Sequence, residues 1–278
     1  MEIKNTGATE FQEEFYGRIK PISFWGGVGL GLLFLLIQVV TMFPIMMGAM
    51  AVYGAENTSA SIEVIMGLGL PLAFIAGAWI LSRGRGLSDT AYEWRSSFIP
   101  ITIVGLILTF SVSYIIGSML TYLPNYEEMM DGYEAMFENI DPMDLVLTVA
   151  VIGPICEEII FRGVILEGLL KKYDTTKAIL FSSLIFSVIH LQPLQVVATF
   201  FIGLILGWIY VKTQSLWVCI AIHIINNFVA VLTMDNGVET TASYFDSPLL
   251  FAGSLVLAIF MAYLAYLVMR RLFHKERA

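Results

Sequence analysis

The chain of 278 residues is 58% hydrophobic and 14% charged, with a mean hydropathy of +0.79 and a net charge of −8. A soluble domain carries about 25% charged residues, so this composition excludes an ordinary water-soluble domain and marks an integral membrane protein. Two cysteines, Cys156 and Cys219, both inside apolar stretches, exclude a disulfide-stapled scaffold and read as core packing.

In chain order, the first twenty residues are polar and mixed in charge, without the short basic-then-apolar layout of a signal peptide. Residues 1–23 are therefore expected to form a cytoplasmic segment. Apolar stretches follow near Phe24–Met50, Ile62–Leu81, Phe98–Leu120, Leu145–Leu170, Ala178–Leu191, Leu194–Val211, Leu216–Met234 and Pro248–Met269. Most approach the ~20 residues that cross ~30 Å of hydrocarbon. The expected fold is all-α, a polytopic membrane helix bundle of about eight transmembrane helices. Between the fifth and sixth stretches, Pro193 in LQPLQ removes a backbone donor and predicts a tight hairpin near the far surface. Residues 24–142 read as three accessory spans with an acidic outer loop, and 143–234 as a core of four spans. Residues 235–278 read as an outer loop, the last span and a basic tail. Gly105, Gly117, Gly203 and Gly207 are expected to permit close helix packing. The acidic loop Tyr126–Asp144 is expected to be a solvated surface segment.

Basic residues set the orientation, because cytoplasmic loops retain Lys and Arg. Lys4, Arg18, Lys20, Arg83, Arg85, Arg95, Lys171, Lys172, Lys177, Lys212, Arg270, Arg271, Lys275 and Arg277 all fall on one side of an eight-span layout. The other side carries Glu56, Glu63, Glu127, Glu128, Asp131, Glu134, Glu138, Asp141, Asp144, Asp235, Glu239 and Asp246. Both termini are therefore expected to be cytoplasmic. The negative charge belongs largely to the outer loops and implies no nucleic-acid partner.

The remaining basic residue, Arg162, lies with Glu157 and Glu158 inside the run VLTVAVIGPICEEIIFRGVILEGLL. A charged residue at the centre of a membrane helix costs roughly 2.5–3.5 kcal/mol, so three within six positions point to pairing or function. At 1.5 Å per helical residue, Glu157 and His190 lie about 20 Å from the nearest loop charges, and His223 about 17 Å, all near the midplane. Glu158 and Arg162, Phe186 and His190, and His223 and Asn227 are each four apart, so each pair shares a helix face. Glu157 points about 100° away from Glu158, which leaves one carboxylate for Arg162 and the other for a cavity.

The set EEIIFR (Glu157–Arg162), FSVIH (Phe186–His190) and HIINN (His223–Asn227) resembles the EExxxR, FxxxH and HxxxN motifs of the CAAX protease and bacteriocin-processing family. Its members are intramembrane proteases like the type II CAAX prenyl endopeptidases. The resemblance covers roughly Asp144 to Met234. It implies an eight-span helical fold, a water-filled cavity open to the cytoplasm or the lipid, and endopeptidase activity.

Peptide hydrolysis needs a base that activates water and donors for the tetrahedral oxyanion. Glu157 is the expected general base, and His190 the expected partner orienting the same water. His223 and the Asn227 amide are the expected oxyanion donors. Glu158 and Arg162, with Phe186 beside them, are expected to support the site, and Arg162 has a second possible role against a substrate carboxylate or carbonyl. No cofactor is expected. Glu157, His190 and His223 would nevertheless make a zinc ligand set with an open position, and that alternative stays open. No GxSxG, GxGD or HExxH occurs, which disfavours those chemistries. Two other readings remain: a proton-coupled transporter, because buried Glu and His also mark proton relays, and a non-catalytic immunity scaffold. The expected partners are membrane lipid and a hydrophobic or lipidated peptide or protein substrate. The expected location is a prokaryotic plasma membrane.

Overall fold

Short polar residues start most of the helices of this protein, whose computed structural model describes residues 20–54, 56–85, 97–137, 140–235 and 247–275. Lys4, Arg18, Arg95, Arg277, Glu138, Glu239 and Asp246 lie outside the described residues. The Ser23 hydroxyl accepts from Gly26 N–H at 3.1 Å and starts α1 (Phe24–Tyr53), which ends at Gly54 with φ 89°. In that left-handed region a glycine has no Cβ to clash. Asn57 caps α2 (58–85) through Ala60 N–H. Helix α3 spans Phe98–Leu120, and a short outer helix α4 spans Tyr126–Glu134. Asp141 accepts from Met143 N–H at 2.8 Å, and with Pro142 in the first turn it opens α5 (142–170). Asp174 caps α6 (Thr175–Val188), and α7 (Pro193–Thr213), α8 (Leu216–Asp235) and α9 (Pro248–Lys275) complete the chain.

The protein is an all-α membrane helix bundle, with no strand among the described residues. Helices α1, α2, α3, α7, α8 and α9 are long and apolar enough to cross a membrane by length and composition. Helix α5 differs because it carries Glu157, Glu158, Arg162 and Glu167, and α6 because it is only 14 residues long.

Helix α5 is the axis of the bundle, packed against α2, α6, α7 and α8. Residues 160–169 are buried without a break, as expected of a helix surrounded on all sides. Helix α1 lies against α2 and α6, while α3 packs on α7 and α8 and pairs with α9. One core joins Phe34 of α1, Ile101 of α3, Phe161 and Ile165 of α5, Leu206 of α7 and Ile222 of α8.

Charge separates the two ends. Ile22 N–H donates to Gly168 O, Phe24 N–H to the Tyr173 hydroxyl, and the Tyr210 hydroxyl to Glu167 Oε1. These bonds gather the start of α1 and the ends of α5 and α7, with Lys171, Lys172 and Lys212, at one end. Glu127, Glu128, Asp131, Asp141 and Asp144 lie at the other.

Three expectations are corrected. Gly105, Gly203 and Gly207 do sit at helix contacts, where an added Cβ would lie 2.5 Å from Ile222 Cδ1, 3.1 Å from Ser183 Cα and 3.1 Å from Ile179 Cγ2. Gly117 does not, since nothing lies within 4 Å of its Cβ position. The loop Tyr126–Asp144 is not simply solvated: it holds α4, and Tyr133 and Phe137 turn inward to line a cavity. Finally, His190 is not inside a helix. Helix α6 ends at Val188, and His190 stands in the turn that Leu191, at φ 62°, closes ahead of Pro193.

Candidate active site

Pro154 shapes the segment that carries the two carboxylates. A proline inside a helix offers no N–H and crowds the carbonyl four residues earlier, which widens the preceding turn. Wide π turns accordingly run over Val146–Ile152 and again over Ile159–Leu166, on either side of Gly153–Glu158. Gly153 N–H reaches back to Thr148 O. The Val149 carbonyl instead accepts from Asn227 Nδ2 of α8 at 3.0 Å. Thr148 donates its hydroxyl to Met66 O at 2.9 Å, at a third π turn in α2. The irregular backbone of α5 is thus tied to both neighbours. Such turns recur at functional sites because they free backbone groups and re-aim side chains. The sequence reading missed this anchoring of Asn227, although the Pro in GPICEE was its signal.

Glu158 is the hub of the cluster. Its Oε1 accepts from Arg162 Nη1 at 2.7 Å and lies 2.7 Å from His223 Nδ1. Glu158 is fully buried and Arg162 is 1% exposed, so neither charge is shared with water. Arg162 also donates to Gly203 O at 3.4 Å and lies over the Phe186 ring, 4.7 Å from its centroid. A guanidinium held by a carboxylate, a carbonyl and an aromatic face keeps its charge inside a low-dielectric core. With Nδ1–H donating to Glu158, the other ring nitrogen of His223 faces Glu157, whose Oε2 is 3.7 Å from Nε2. The two adjacent carboxylates therefore have different settings. Glu158 is locked in the core, while the Glu157 side chain keeps 12% of its surface accessible.

Among the described residues, His190 meets this cluster through Phe186. Its Nδ1 lies 2.8 Å from Phe186 O, and the Phe186 ring stands edge-on to both imidazoles, 4.9 Å from His190 and 5.8 Å from His223. Among the described residues no group of three or more His, Cys, Asp or Glu side chains is spaced to hold a metal ion. The set Glu157, His190 and His223 is thus not gathered as zinc ligands in this geometry. Cys156 and Cys219 are buried free thiols, as their apolar settings predict.

A cavity of about 170 Å³ adjoins the cluster on the acidic side. Asn226 and Asn227 line it together with Val149, Gln195, Ile202 and Tyr133. Gln195 Nε2 donates to the Tyr133 hydroxyl at 3.0 Å, holding α4 over the opening. Burial pushes the Tyr133 phenol up to about 12, with the Gln195 bond opposing, so the group stays protonated at physiological pH.

Residues 140–229 match the family described as type II CAAX prenyl endopeptidase Rce1-like, and the matched stretch encloses every residue of the cluster. The chain is 29% identical over 190 residues to a Bacillus subtilis (strain 168) protein named "Putative membrane peptidase YdiL", covering 66% of this chain and 78% of that protein. Both comparisons support the resemblance to the CAAX protease and bacteriocin-processing family that the three motifs carry. The chain is 27% identical over 152 residues to "Membrane-embedded CAAX protease MroQ" of Staphylococcus aureus (strain USA300), covering 52% of this chain and 62% of that relative. No solved structure matches it significantly. Six helices long and apolar enough to cross a membrane make it a multi-pass membrane protein, and the stretch that matches the protease family is the part of the bundle built around α5 to α8.

Proposed function

We propose that this protein is an intramembrane endopeptidase that cleaves a hydrophobic or lipidated peptide or protein substrate with water activated by Glu157. The observation that carries the reading is the position of His223, bonded to Glu158 at 2.7 Å and 3.7 Å from the more accessible Glu157. Glu157 removes a proton from water, and the resulting hydroxide attacks the scissile carbonyl carbon. The developing oxyanion takes hydrogen bonds from His223 Nε2–H and the Asn227 amide. Glu157 then passes its proton to the leaving nitrogen as the C–N bond breaks. This step uses the doubly protonated ring, which donates from Nδ1 to Glu158 and from Nε2 to the oxyanion. His190, held at Nδ1 by the Phe186 carbonyl, is assigned to orienting the same water. Arg162 acts through Glu158 as a positioning residue.

The test compares new peptide termini in cells expressing the wild type and Glu157→Gln at equal abundance. The substitution is near-isosteric and removes only the ionisable oxygen. Termini present with the wild type and absent with the variant are the expected result and identify the substrate. Identical termini, with both proteins folded in the membrane, would overturn the protease reading in favour of transport or a scaffold role. Turnover of the purified protein after strong chelation, with metal content measured on the same sample, separates the water mechanism from a zinc-dependent one.

A further inference from the structure

At the basic end, far from the Glu157 cluster, a second cavity of about 390 Å³ lies between α7 and α9, lined by Trp208, Lys212, Tyr266, Arg270, Phe273 and His274. That volume falls within the range of small-ligand sites, roughly 300–1,000 Å³. Its lining holds three groups able to carry positive charge and no carboxylate. Among the described residues, none of Lys212, Arg270 and His274 has a carboxylate within ion-pair distance. Aromatic rings make its wall: Trp208 lies 5.6 Å from Tyr266 and 5.1 Å from Phe273, centroid to centroid, and Arg270 sits 5.8 Å from the Tyr266 centroid.

The surface leading from the cavity toward the bilayer centre is apolar. Ile259, Tyr263, Tyr266 and Arg270 follow one face of α9, and Ile259 and Tyr263 are 56% and 60% exposed. A ligand with an anionic head and apolar tails therefore meets charge where the helices end and hydrocarbon contact where they run through the membrane. Basic pockets between helices at such an end suit anionic lipid head groups, and Trp and Tyr favour that interfacial depth.

We propose that this cavity binds the phosphate head group of an anionic phospholipid, with Lys212 and Arg270 as its phosphate ligands and acyl chains along Ile259 and Tyr263. The site is independent of the peptidase reading, because none of its residues belongs to the Glu157 cluster.

The experiment is native mass spectrometry of the full chain purified in detergent and incubated with phosphatidylglycerol or phosphatidylcholine of matched chains. Each basic side chain near an anionic surface contributes about fivefold in affinity, so phosphatidylglycerol should be retained about tenfold or more over phosphatidylcholine. Lys212→Gln combined with Arg270→Gln should abolish that preference, while Lys212→Arg with Arg270→Lys should keep it. Matching elution and thermal melting of the two double variants controls for folding. Equal retention of the two lipids by the wild type, survival of the preference in the Gln variant, or its loss in both variants would overturn the site. Displacement of the lipid by millimolar inorganic phosphate would overturn the lipid assignment and indicate a soluble anion instead.

Discussion

Arg162 and Glu158 share a bond of 2.7 Å in a region without solvent, so each depends on the other for charge compensation. Removing one member of a buried pair leaves the other uncompensated and destabilises a fold by about 3–5 kcal/mol. Arg162→Ala should therefore lower stability by that amount in unfolding measurements in detergent. Glu158→Gln combined with Arg162→Met should recover a good part of the loss and leave the protein folded but inactive, because His223 loses its carboxylate partner. A second buried carboxylate gives a milder case. Glu167 is fully buried at the basic end and accepts from the Tyr210 hydroxyl at 2.6 Å. Tyr210→Phe keeps the shape and deletes that donor, so a loss of about 1–3 kcal/mol is expected in the same measurement, with turnover per folded molecule unchanged.

Among the helices, the α6–α7 contact and the Pro154 turn of α5 make separate predictions. Gly203 faces Ser183 so closely that a Cβ would lie 3.1 Å from the Ser183 Cα, and backbone cannot withdraw as a flexible side chain can. Gly203→Ala should force the two helices apart at about 1–3 kcal/mol. Gly117→Ala meets nothing within 4 Å, and alanine is the better helix former by about 1 kcal/mol, so that variant should melt no lower than wild type. Pro154→Ala restores a backbone N–H that competes for the carbonyls of the wide turn. Asn227 should then lose its hold on Val149, and turnover should fall by up to about 10²-fold, the scale of a 1 Å misplacement, with little change in melting. An unchanged rate in Pro154→Ala would separate the π turn from catalysis.

For the whole molecule, the separation of charge between the two ends sets the expected sidedness. Lys171, Lys172, Lys177, Lys212, Arg270 and Arg271 mark the basic end, which the retention of Lys and Arg by cytoplasmic loops assigns to the cytoplasm. Reporter tags at both termini should therefore be accessible only after the membrane is opened. A single cysteine introduced at Glu128 in α4 should react with an impermeant reagent on intact cells. Access to α4 also matters for the cavity beside Asn227, which Tyr133 and Gln195 close from the acidic side.

Much of the fold and part of the site were legible in the amino-acid order because their determinants are local or global averages. Hydropathy registers the long apolar helices because each must match a fixed hydrocarbon thickness. The Glu158–Arg162 pair followed from i,i+4 spacing on one helix, and the capping of α5 by Asp141 follows from local chemistry. Only the tertiary structure decided that His223 reaches Glu158 across 65 positions, that Asn227 takes the carbonyl left over beside Pro154, and that His190 stands in a turn attached to the site through Phe186. The same holds for Gly117, which shares the type of its packed counterparts but faces open space, and for Lys212 and Arg270, which share one cavity. These facts depend on which faces of distant helices meet. Helical periodicity states which residues share a face, and the packing of α5 within its ring of neighbours states what that face touches.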